Sequence, residues 1–313
     1  MAEPLLSIII ATRNRAQSLA RTLRTLEVAL DNVAGGVEVL IVDNGSSDAT
    51  PSVLAQWRPI GAVETKVLRT EQPGKARALN AAWPQARAHT LAFTDDDVEV
   101  PPLWLRIAAE FSAGMLQYAA ATGPVRLPPE QRRREIMELV NFYRTIPLFD
   151  RGPQLQPSKH LYGCNMLVRK SALAAVGGFD ARLGPGASGL HEDGDLAHRL
   201  RQAGYALAYL PQLEMFHIVE PERLCWEYFC RLHRADAQSR FVRDGNLGLG
   251  YALRHWFGAA AVWALWSLLG NRNRRMRARG RLLSHTEYLR LCWLARTSPP
   301  SGGSTSNGHA CAS

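Results

Sequence analysis

Apolar positions in the first third of the chain alternate between unbroken runs and stripes with helical spacing. Four leucines after the first run share one helix face, namely Leu19, Leu23, Leu26 and Leu30. The runs predict strands over residues 5–12 (LLSIIIAT), 37–44 (VEVLIVDN), 62–70 (AVETKVLRT, the weakest) and 89–97 (HTLAFTDDD), with another helix over 75–88. Strands that alternate with helices indicate an α/β fold, in which a parallel sheet is covered by helices on both faces.

Polar side chains follow these strands at the points where they end. They are Thr12, Arg13 and Asn14 after the first strand, residues 43–50 (DNGSSDAT) after the second, and Asp95, Asp96 and Asp97 after the fourth. Ligands on parallel sheets bind at the carboxyl ends of the strands, so we expect a site at this edge. The chain has no GxGxxG after its first strand and no GxxxxGK[ST], which argues against a dinucleotide fold and a P-loop.

The three consecutive aspartates after the fourth strand need a positive partner. Carboxylates this close repel, and each raises the pKa of its neighbours unless a cation lies among them. A divalent metal ion is the partner we expect, and Mg²⁺ or Mn²⁺ suits oxygen ligands that are shared with substrate phosphates. The alternative is an acidic turn that faces solvent.

The C-terminal part combines an apolar segment with a cluster of arginines. Residues 247–270 are apolar but broken by Arg254 and His255, which leaves 256–270 too short for a span of about 20 residues. Residues 271–296 hold eight arginines and one glutamate, most of the net charge of +9. Tryptophans beside arginines favour a helix that lies on an anionic membrane surface rather than a nucleic-acid partner. The alternative is a buried core helix with solvated arginines.

Composition places few other limits on function. The 313 residues are 46% apolar, enough for a substantial core. Five cysteines without a CxxC pair favour reduced thiols. The N-terminus lacks a cationic and apolar leader, so we expect a cytoplasmic protein, peripheral on the cytoplasmic face of the membrane. The low-complexity residues 297–313 are predicted to be disordered.

Seven motifs occur in the order and spacing of a known family. They are SIIIATRNR, VLIVDNGSSDAT, GKARALN, FTDDDVEV, GCNMLVRK, GGFD and HEDGDLAHRLRQAGY. Together they resemble the family 2 glycosyltransferases with the GT-A (nucleotide-diphospho-sugar transferase) fold, over roughly residues 4–242. The resemblance implies a nucleotide-binding half (1–127) and an acceptor half (128–242), followed by a helical, membrane-surface extension over 243–296.

The resemblance implies roles for residues on the donor side. Asp43 corresponds to the aspartate that accepts hydrogen bonds from the nucleotide base, although DNGSSD is also rich in turn-forming residues. Asp95 and Asp97 form a DxD motif in which Asp97 holds the metal, Asp95 contacts the ribose or donor sugar, and Asp96 assists. His217 corresponds to a further metal ligand. The other donor-side candidates are Thr12, Asn14, Lys75, Arg77 and Asn80. Leu79 stands where the family often has an arginine. The alternative for Lys75 and Arg77 is that their side chains face solvent and bind no donor.

The resemblance also implies the catalytic and acceptor residues. Glu192 and Asp193 correspond to the family's ED pair, with Asp193 as the general base that takes the proton of an acceptor hydroxyl. The alternative role for these acids is to cap a helix. Gly163, Asn165 and Trp226 are candidates for the acceptor pocket, and an aromatic residue at helical spacing is alternatively part of a core.

The predicted activity is therefore a metal-dependent, inverting transfer of one sugar from a nucleotide-diphosphate sugar to a hydroxyl of a glycan or lipid-linked acceptor. The chain lacks the QxxRW motif and multiple membrane spans of processive polysaccharide synthases. One rival is a nucleotidyltransferase, which would need a basic, glycine-rich loop after the first strand. Another is a sugar-nucleotide-binding protein without turnover, which would be expected to lack Asp97 or Asp193.

Overall fold

The computed structural model describes residues 3–33, 36–59 and 63–297. In these ranges the strands are β1 (Leu6–Thr12), β2 (Val37–Asp43), β3 (Glu64–Arg69), β4 (Thr90–Thr94), β5 (Val98–Glu99), β6 (Ala120–Thr122), β7 (Val125–Arg126), β8 (Gln156–Pro157), β9 (Met166–Arg169), β10 (Leu207–Tyr209) and β11 (Met215–His217). The helices are α1 (Ala16–Leu30), α2 (Thr50–Gln56), α3 (Lys75–Ala82), α4 (Trp104–Gly114), α5 (Arg134–Tyr143), α6 (Lys170–Ala175), α7 (Glu192–Gln202), α8 (Trp226–Asp244), α9 (Leu249–Leu268) and α10 (Arg272–Thr297).

The main sheet has eight strands in the order β3-β2-β1-β4-β9-β6-β10-β8. The first four in this order are parallel to one another, and β9 is antiparallel to β4 and β6. The predicted α/β fold with a mostly parallel sheet is confirmed. Because β1 pairs with β2 from Leu6–Val37 to Thr12–Asp43, the two strands end at the same edge.

Each face of the main sheet carries its own apolar core. In β1, Ile8 and Ile10 pack into the cluster with α1 and α4, whereas Ile9 packs into the cluster with α3 and α7. All four leucines of the predicted helix face are buried in the first cluster. Successive side chains of a strand point to opposite faces, so a continuous apolar run is the pattern that a strand covered on both sides requires.

Two predicted elements end earlier in the structure than the sequence pattern suggested. The helix predicted over 75–88 ends at Ala82, and a 3₁₀ turn follows over Trp83–Gln85, which contains Pro84. Proline lacks the amide hydrogen that a continuing helix needs. The fourth strand ends at Thr94, so the three aspartates lie in the turn between β4 and β5.

A three-stranded sheet, β5-β11-β7, lies beside the main one. Here β11 runs antiparallel to β5 and places His217 opposite Val98. The amide of Ile218 donates to the Asp97 carbonyl at 2.9 Å. This pairing joins segments about 120 residues apart in sequence, and it holds His217 next to the three aspartates.

Helices α9 and α10 form an antiparallel pair, called here the C-terminal hairpin (residues 249–297), and α10 packs against α8. Their shared core contains Ala237, Ala252, Tyr288 and Cys292. None of the helices in the described ranges combines the length and the apolar content that crossing a bilayer requires. The boundary predicted after residue 242 stays a prediction; α8 runs through it. The tail predicted over 297–313 lies outside the described residues, except Thr297.

Candidate active site

A cleft of about 750 Å³ opens at the carboxyl ends of β1, β2 and β4. We call it the strand-end cleft. Among the residues predicted for the site, those that line it are Thr12, Lys75, Asp95, Asp96, Asp97, Gly163, Glu192, Asp193 and His217. The structure therefore brings together residues that the sequence spreads over about 200 positions, in a cleft of the size that small-molecule sites have.

The protein itself supplies cations to the three aspartates. Lys75 contacts Asp95 at 2.5 Å, and Arg15 contacts Asp97 at 2.8 Å. Arg223 also donates to Asp97, on the same oxygen as Arg15. The predicted partner of the acidic cluster was a metal ion alone, so Arg15 and Arg223 are additions that the sequence analysis missed.

These contacts separate the protonation behaviour of neighbouring carboxyl groups. Burial by itself would raise the pKa of Asp97, but His217, Arg223 and Arg15 outweigh burial and hold that pKa well below its usual range. For Asp96, burial and then the charge of Asp97 raise the pKa to about 7. Of these two neighbours, Asp97 is therefore the one that stays ionised.

Asp97 and His217 face each other across a short gap. His217 Nδ1 donates to the Ile218 carbonyl at 3.0 Å, because a carbonyl can only accept. Its Nε2 lies 3.6 Å from Asp97 Oδ1, the oxygen that the two arginines leave free. In neutral histidine this Nε2 carries a lone pair, so an imidazole and a carboxylate present ligand atoms to one point.

That arrangement fits a divalent cation, although two protein ligands are too few for a complete site. Within the described ranges, no group of three or more histidine, cysteine, aspartate or glutamate side chains could hold a metal ion. A hard cation that binds substrate phosphates uses one or two carboxylates and takes further oxygens from the substrate and water. Asp97 and His217 match this partial kind of site.

Glu192 and Asp193 open α7 beside the acidic turn. Asp193 accepts hydrogen bonds from the Gly163 amide at 2.8 Å and the Gly194 amide at 2.7 Å. Glu192 lies 3.3 Å from Lys75, and its pKa is raised, chiefly by burial. Asp193 is half-buried and makes no ion pair with any described residue. Its carboxylate is therefore held in place by amides and left open towards the cleft.

Glycine at position 163 leaves room in the cleft floor. A Cβ there would lie 3.0 Å from Lys75 Nζ and 3.6 Å from Asp193 Oδ2. Any larger side chain would thus fill the space between the lysine and the candidate base.

The residue before Glu192 is fixed by the C-terminal helices. His191 lines the cleft in a left-handed conformation with φ of 76°. Its Nε2 contacts Asp236 of α8 at 2.8 Å, and Ser284 of α10 donates to the same carboxylate. Asp236 and Ser284 stand in no recognisable sequence motif; the signal for this contact is the ionisable side chain of His191 directly before the ED pair.

Three predicted donor residues are engaged in the loops around the cleft rather than lining it. Asp43 accepts from the Ser46 amide at 2.9 Å and pairs with Arg69 at 2.9 Å. Asn14 joins two strand-end loops by accepting from the Ser47 amide at 2.8 Å. Arg77 donates to the Pro73 carbonyl at 2.6 Å.

Three further predicted residues lie in packed positions away from the cleft lining. Asn80 bonds to the backbone amide and carbonyl of Phe179 at 2.9 and 2.7 Å. Asn165 is 0% exposed, and it accepts from Trp104 and donates to two backbone carbonyls. Trp226 stacks on Phe229, with Arg279 over its ring at 4.1 Å. These contacts indicate that all three side chains stabilise the fold.

The fold is similar to that of solved glycosyltransferases. The mannosyltransferase PcManGT from Pyrobaculum calidifontis, in complex with GDP-Man and Mn²⁺, superposes with a TM-score of 0.54 at 18% identity, over 96% of this chain and 77% of that one. S. aureus TarS 1-349, in complex with UDP-GlcNAc, gives 0.50 at 16% identity, over 93% and 91%. The chain thus has the predicted GT-A fold.

Sequence relatives point the same way. The N-acetylglucosaminyl-diphospho-decaprenol L-rhamnosyltransferase of Mycobacterium tuberculosis is 29% identical over 240 residues, which are 68% of this chain and 75% of that protein. Validoxylamine A glucosyltransferase of Streptomyces hygroscopicus subsp. jinggangensis is 28% identical over 276 residues, 77% and 61% of the two chains. An uncharacterized protein of Sinorhizobium fredii, y4gI, is 30% identical over 68% of this chain but only 24% of its own length.

A family model with the description Glycosyl transferase family 2 matches residues 7–177, more than half of the chain. The match includes β1, the acidic turn and the Gly163 segment, which form much of the strand-end cleft. The chain therefore belongs to glycosyl transferase family 2 and is a glycosyltransferase.

Proposed function

We propose that the enzyme transfers one sugar from a nucleotide-diphosphate sugar to an acceptor hydroxyl, with a divalent metal ion and with inversion at the anomeric carbon. The observation that carries this proposal is the convergence of the facing Asp97–His217 pair and the open carboxylate of Asp193 on one cleft. Relatives named as acting on a diphospho-decaprenol-linked sugar and on validoxylamine A support an acceptor that is a glycan, glycolipid or related polyol.

Asp97 and His217 would hold the metal, as Mn²⁺ or Mg²⁺, next to the donor diphosphate. When bound, the cation would neutralise the negative charge on the nucleoside diphosphate leaving group. Asp95, Asp96 and Lys75 line the same end of the cleft, so they would contact the ribose, the donor sugar or the diphosphate. The assignment of Asp95 and Asp97 as a metal- and donor-binding DxD motif is part of this proposal.

Asp193 would act as the general base. Its hydrogen bonds from the Gly163 and Gly194 amides orient the carboxylate, and the open side faces the cleft. It would take the proton of the acceptor hydroxyl as that oxygen attacks the anomeric carbon from the side opposite the leaving diphosphate. One such displacement inverts the configuration, and base catalysis contributes about 10²- to 10⁴-fold.

The C-terminal hairpin would hold the enzyme on the cytoplasmic face of an anionic membrane. Exposed apolar side chains recur along α9, and Leu253, Phe257, Leu265 and Leu268 share one side at helical spacing, while Val262 and Trp263 are exposed outside it. Phe257 is 62% exposed and Leu268 is 87% exposed. Residues 245–286 contain seven arginines and no acid. An apolar stripe beside uncompensated arginines is typical of helices that lie in the headgroup layer.

The test is a thermal-shift screen of nucleotide sugars with and without Mn²⁺, followed by product analysis. A bound donor stabilises the folded state by mass action, so the true donor should raise the melting temperature, and more so with the metal. Release of a nucleoside diphosphate indicates glycosyl transfer, whereas release of pyrophosphate would indicate nucleotidyl transfer and overturn the proposal. A screen in which no nucleotide sugar changes the melting temperature would also count against it.

A further inference from the structure

Two arginines on the wall of the strand-end cleft have no assigned role in donor binding, metal binding or catalysis. Arg144 and Arg231 both line the cleft. Neither side chain makes an ion pair or donates a hydrogen bond to any described residue. Among the cleft's other cations, Lys75, Arg15 and Arg223 are each paired with at least one carboxylate. Arg13 also makes no ion pair with a described residue, but it directly follows β1 and so lies on the donor side of the cleft.

Both arginines come from the half of the chain that follows the nucleotide-binding strands. Arg144 ends α5 in the left-handed conformation, with φ of 55°. The next residue, Thr145, donates to the Arg223 carbonyl at 2.7 Å, which fixes this turn on the segment after β11. The Arg144 amide donates to the Val140 carbonyl at 2.8 Å, which is a common left-handed cap of a helix end, and residues 144–147 after the helix line the cleft.

Arg231 is held by stacking instead of by an acid. Its guanidinium lies 4.8 Å from the ring centroid of Tyr228, one turn earlier on α8. Stacking fixes the plane of the guanidinium and leaves its N–H groups free in that plane. A phosphate group accepts such a fork of donors through two oxygens.

With Arg13 at the strand ends on the donor side, Arg144 and Arg231 are, among the described residues, the unpaired arginines left for a further anion on the wall away from the strand ends. The carboxylates of the acidic turn and of Glu192 already contact the three paired cations. The donor diphosphate lies, on the proposed function, at Asp97 and His217. On that function the strand ends are taken by the donor, so an acceptor would approach Asp193 from the wall that carries Arg144, just after α5, and Arg231 of α8.

We propose that Arg144 and Arg231 form a subsite for a phosphate group carried by the acceptor. This inference rests on the proposed glycosyl transfer and names the acceptor class as a phosphorylated sugar or a lipid-linked sugar phosphate. The hairpin is close to this wall: Arg272 at the start of α10 lies over the ring of Phe142, two residues before Arg144, at 4.7 Å. A lipid anchored at the hairpin would therefore enter past Arg144.

The experiment measures binding of two small phosphates to the full chain, saturated with Mn²⁺ and with the nucleoside diphosphate that the thermal-shift screen identifies. The probes are octyl phosphate and glucose 1-phosphate, each compared with its unphosphorylated counterpart, octanol or glucose, by calorimetry. We expect each phosphate to bind at least 10-fold more tightly than its counterpart. Tighter binding of octyl phosphate would select the lipid-linked source, and tighter binding of glucose 1-phosphate the free sugar phosphate.

Substitutions then assign the binding to the two arginines. Arg144→Gln and Arg231→Gln should each weaken phosphate binding about 10-fold, as loss of a charge-assisted hydrogen bond predicts. Arg231→Lys should restore part of it. The matched control is Arg133→Gln, since Arg133 is exposed at the start of α5 and outside the cleft lining. Melting temperatures of all variants should match that of the wild type.

Measuring the binding of the nucleoside diphosphate distinguishes a failure of the phosphate subsite from a failure of the proposed glycosyl transfer. The nucleoside diphosphate should bind the two glutamine variants within about two-fold of the wild type. If the glutamine variants bind the nucleoside diphosphate more weakly but bind the phosphate probes as the wild type does, the subsite proposal is wrong. The two arginines would then belong to the donor site, and the proposal of glycosyl transfer would be unaffected. Equal binding of phosphates and their counterparts to the wild type would also overturn the subsite proposal. Failure of any nucleotide to bind would instead refute the proposed function.

Discussion

The strand-end cleft and the C-terminal hairpin both concentrate charge, but the buried charges of the cleft are paired with one another, whereas most arginines of the hairpin are not paired with an acid among the described residues. Asp97 is buried between Arg15, Arg223 and His217, whereas the arginines of residues 245–286 have no acid within their own segment. Burying an unpaired ion is costly, so a buried cluster must be compensated and an exposed one need not be. The contrast indicates that the cleft is organised before substrate binds, and that the hairpin finds its counter-charges outside the protein.

The largest expected effect comes from the one cleft carboxylate without an ion pair. Asp193→Asn should lower turnover by about 10²- to 10⁴-fold, because the amide cannot take a proton from the acceptor. Donor binding should stay within a few-fold, since the substitution keeps the shape of the side chain. Initial rates and donor titrations on the same preparation check both statements.

Glu227→Gln is the matched control for Asp193→Asn. Glu227 is an exposed acid at the start of α8, outside the cleft lining and in no ion pair among the described residues. Its loss should leave turnover unchanged. Loss of donor binding in Asp193→Asn would mean that this carboxylate shapes the cleft rather than removing a proton.

Breaking the paired cluster should cost stability as well as activity. Asp97→Asn removes the buried carboxylate that Arg15 and Arg223 share and leaves both with Glu220, at 3.4 and 3.3 Å. Removing one partner of a buried pair costs about 3–5 kcal/mol, and with Glu220 still present we expect the lower end of that range. Urea unfolding without metal measures this loss. Glu110→Gln, at an exposed ion pair on α4, should change stability by less than about 0.5 kcal/mol.

Chelation tests the metal at the same cluster without a substitution. Excess EDTA should abolish turnover of the wild type, and Mn²⁺ in excess of EDTA should restore it. Because the arginines remain paired with Asp97, chelation should leave the free energy of unfolding of the substrate-free enzyme nearly unchanged. Full activity in EDTA would contradict the metal proposal.

Replacing exposed apolar side chains of the hairpin should weaken membrane binding without changing catalysis in the cleft. The double change Leu265→Ser and Leu268→Ser should weaken binding to phosphatidylglycerol vesicles about 10-fold or more, because each leucine loses the apolar contact that bilayer insertion provides. Turnover on a water-soluble acceptor should stay the same. Co-sedimentation with vesicles measures the binding, and phosphatidylcholine vesicles measure the part that depends on lipid charge.

Leu116→Ser is the matched control for the hairpin leucines. Leu116 is 76% exposed in the loop after α4, so it is as accessible as the hairpin leucines but lies on the catalytic part of the chain. Its substitution should leave vesicle binding unchanged. If the wild type sediments with neither kind of vesicle, the exposed stripe serves another partner.

The sequence predicted what local patterns determine. The apolar runs placed β1, β2 and β4, and the positions of the aspartates and of the ED pair placed Asp97 and Asp193 in one cleft. It could not predict Arg15 and Arg223 as partners of Asp97, because the β1–β4 pairing that brings Arg15 close and the β5–β11 pairing that brings Arg223 close both join distant parts of the chain. Nor could it show that Asn165 is saturated by Trp104 and two backbone carbonyls, since each contact comes from a different element.

The smallest expected effect concerns the link between the two regions. Ser284→Ala in α10 removes the hydroxyl that donates to Asp236, and so loosens the contact that fixes His191 in the cleft. Loss of a hydrogen bond to a partly exposed carboxylate costs about 1 kcal/mol, and turnover should fall only a few-fold. Ser267→Ala on α9, where the hydroxyl bonds within its own helix, should do neither.

The pH dependence of the stability lost in Ser284→Ala tests whether the loss comes from the hydrogen bond to Asp236. Burial would raise the pKa of Asp236, but the hydrogen bonds from His191 and Ser284 outweigh burial and lower it in the folded protein. A lowered carboxyl pKa stabilises the fold above the unfolded value, about 3.9, and this contribution disappears as pH falls through the folded value. The difference in unfolding free energy between Ser284→Ala and wild type should therefore be full at pH 7 and shrink below about pH 4. A difference that is constant with pH would instead mean that Ser284 contributes by packing, and that the hairpin does not hold the cleft through Asp236.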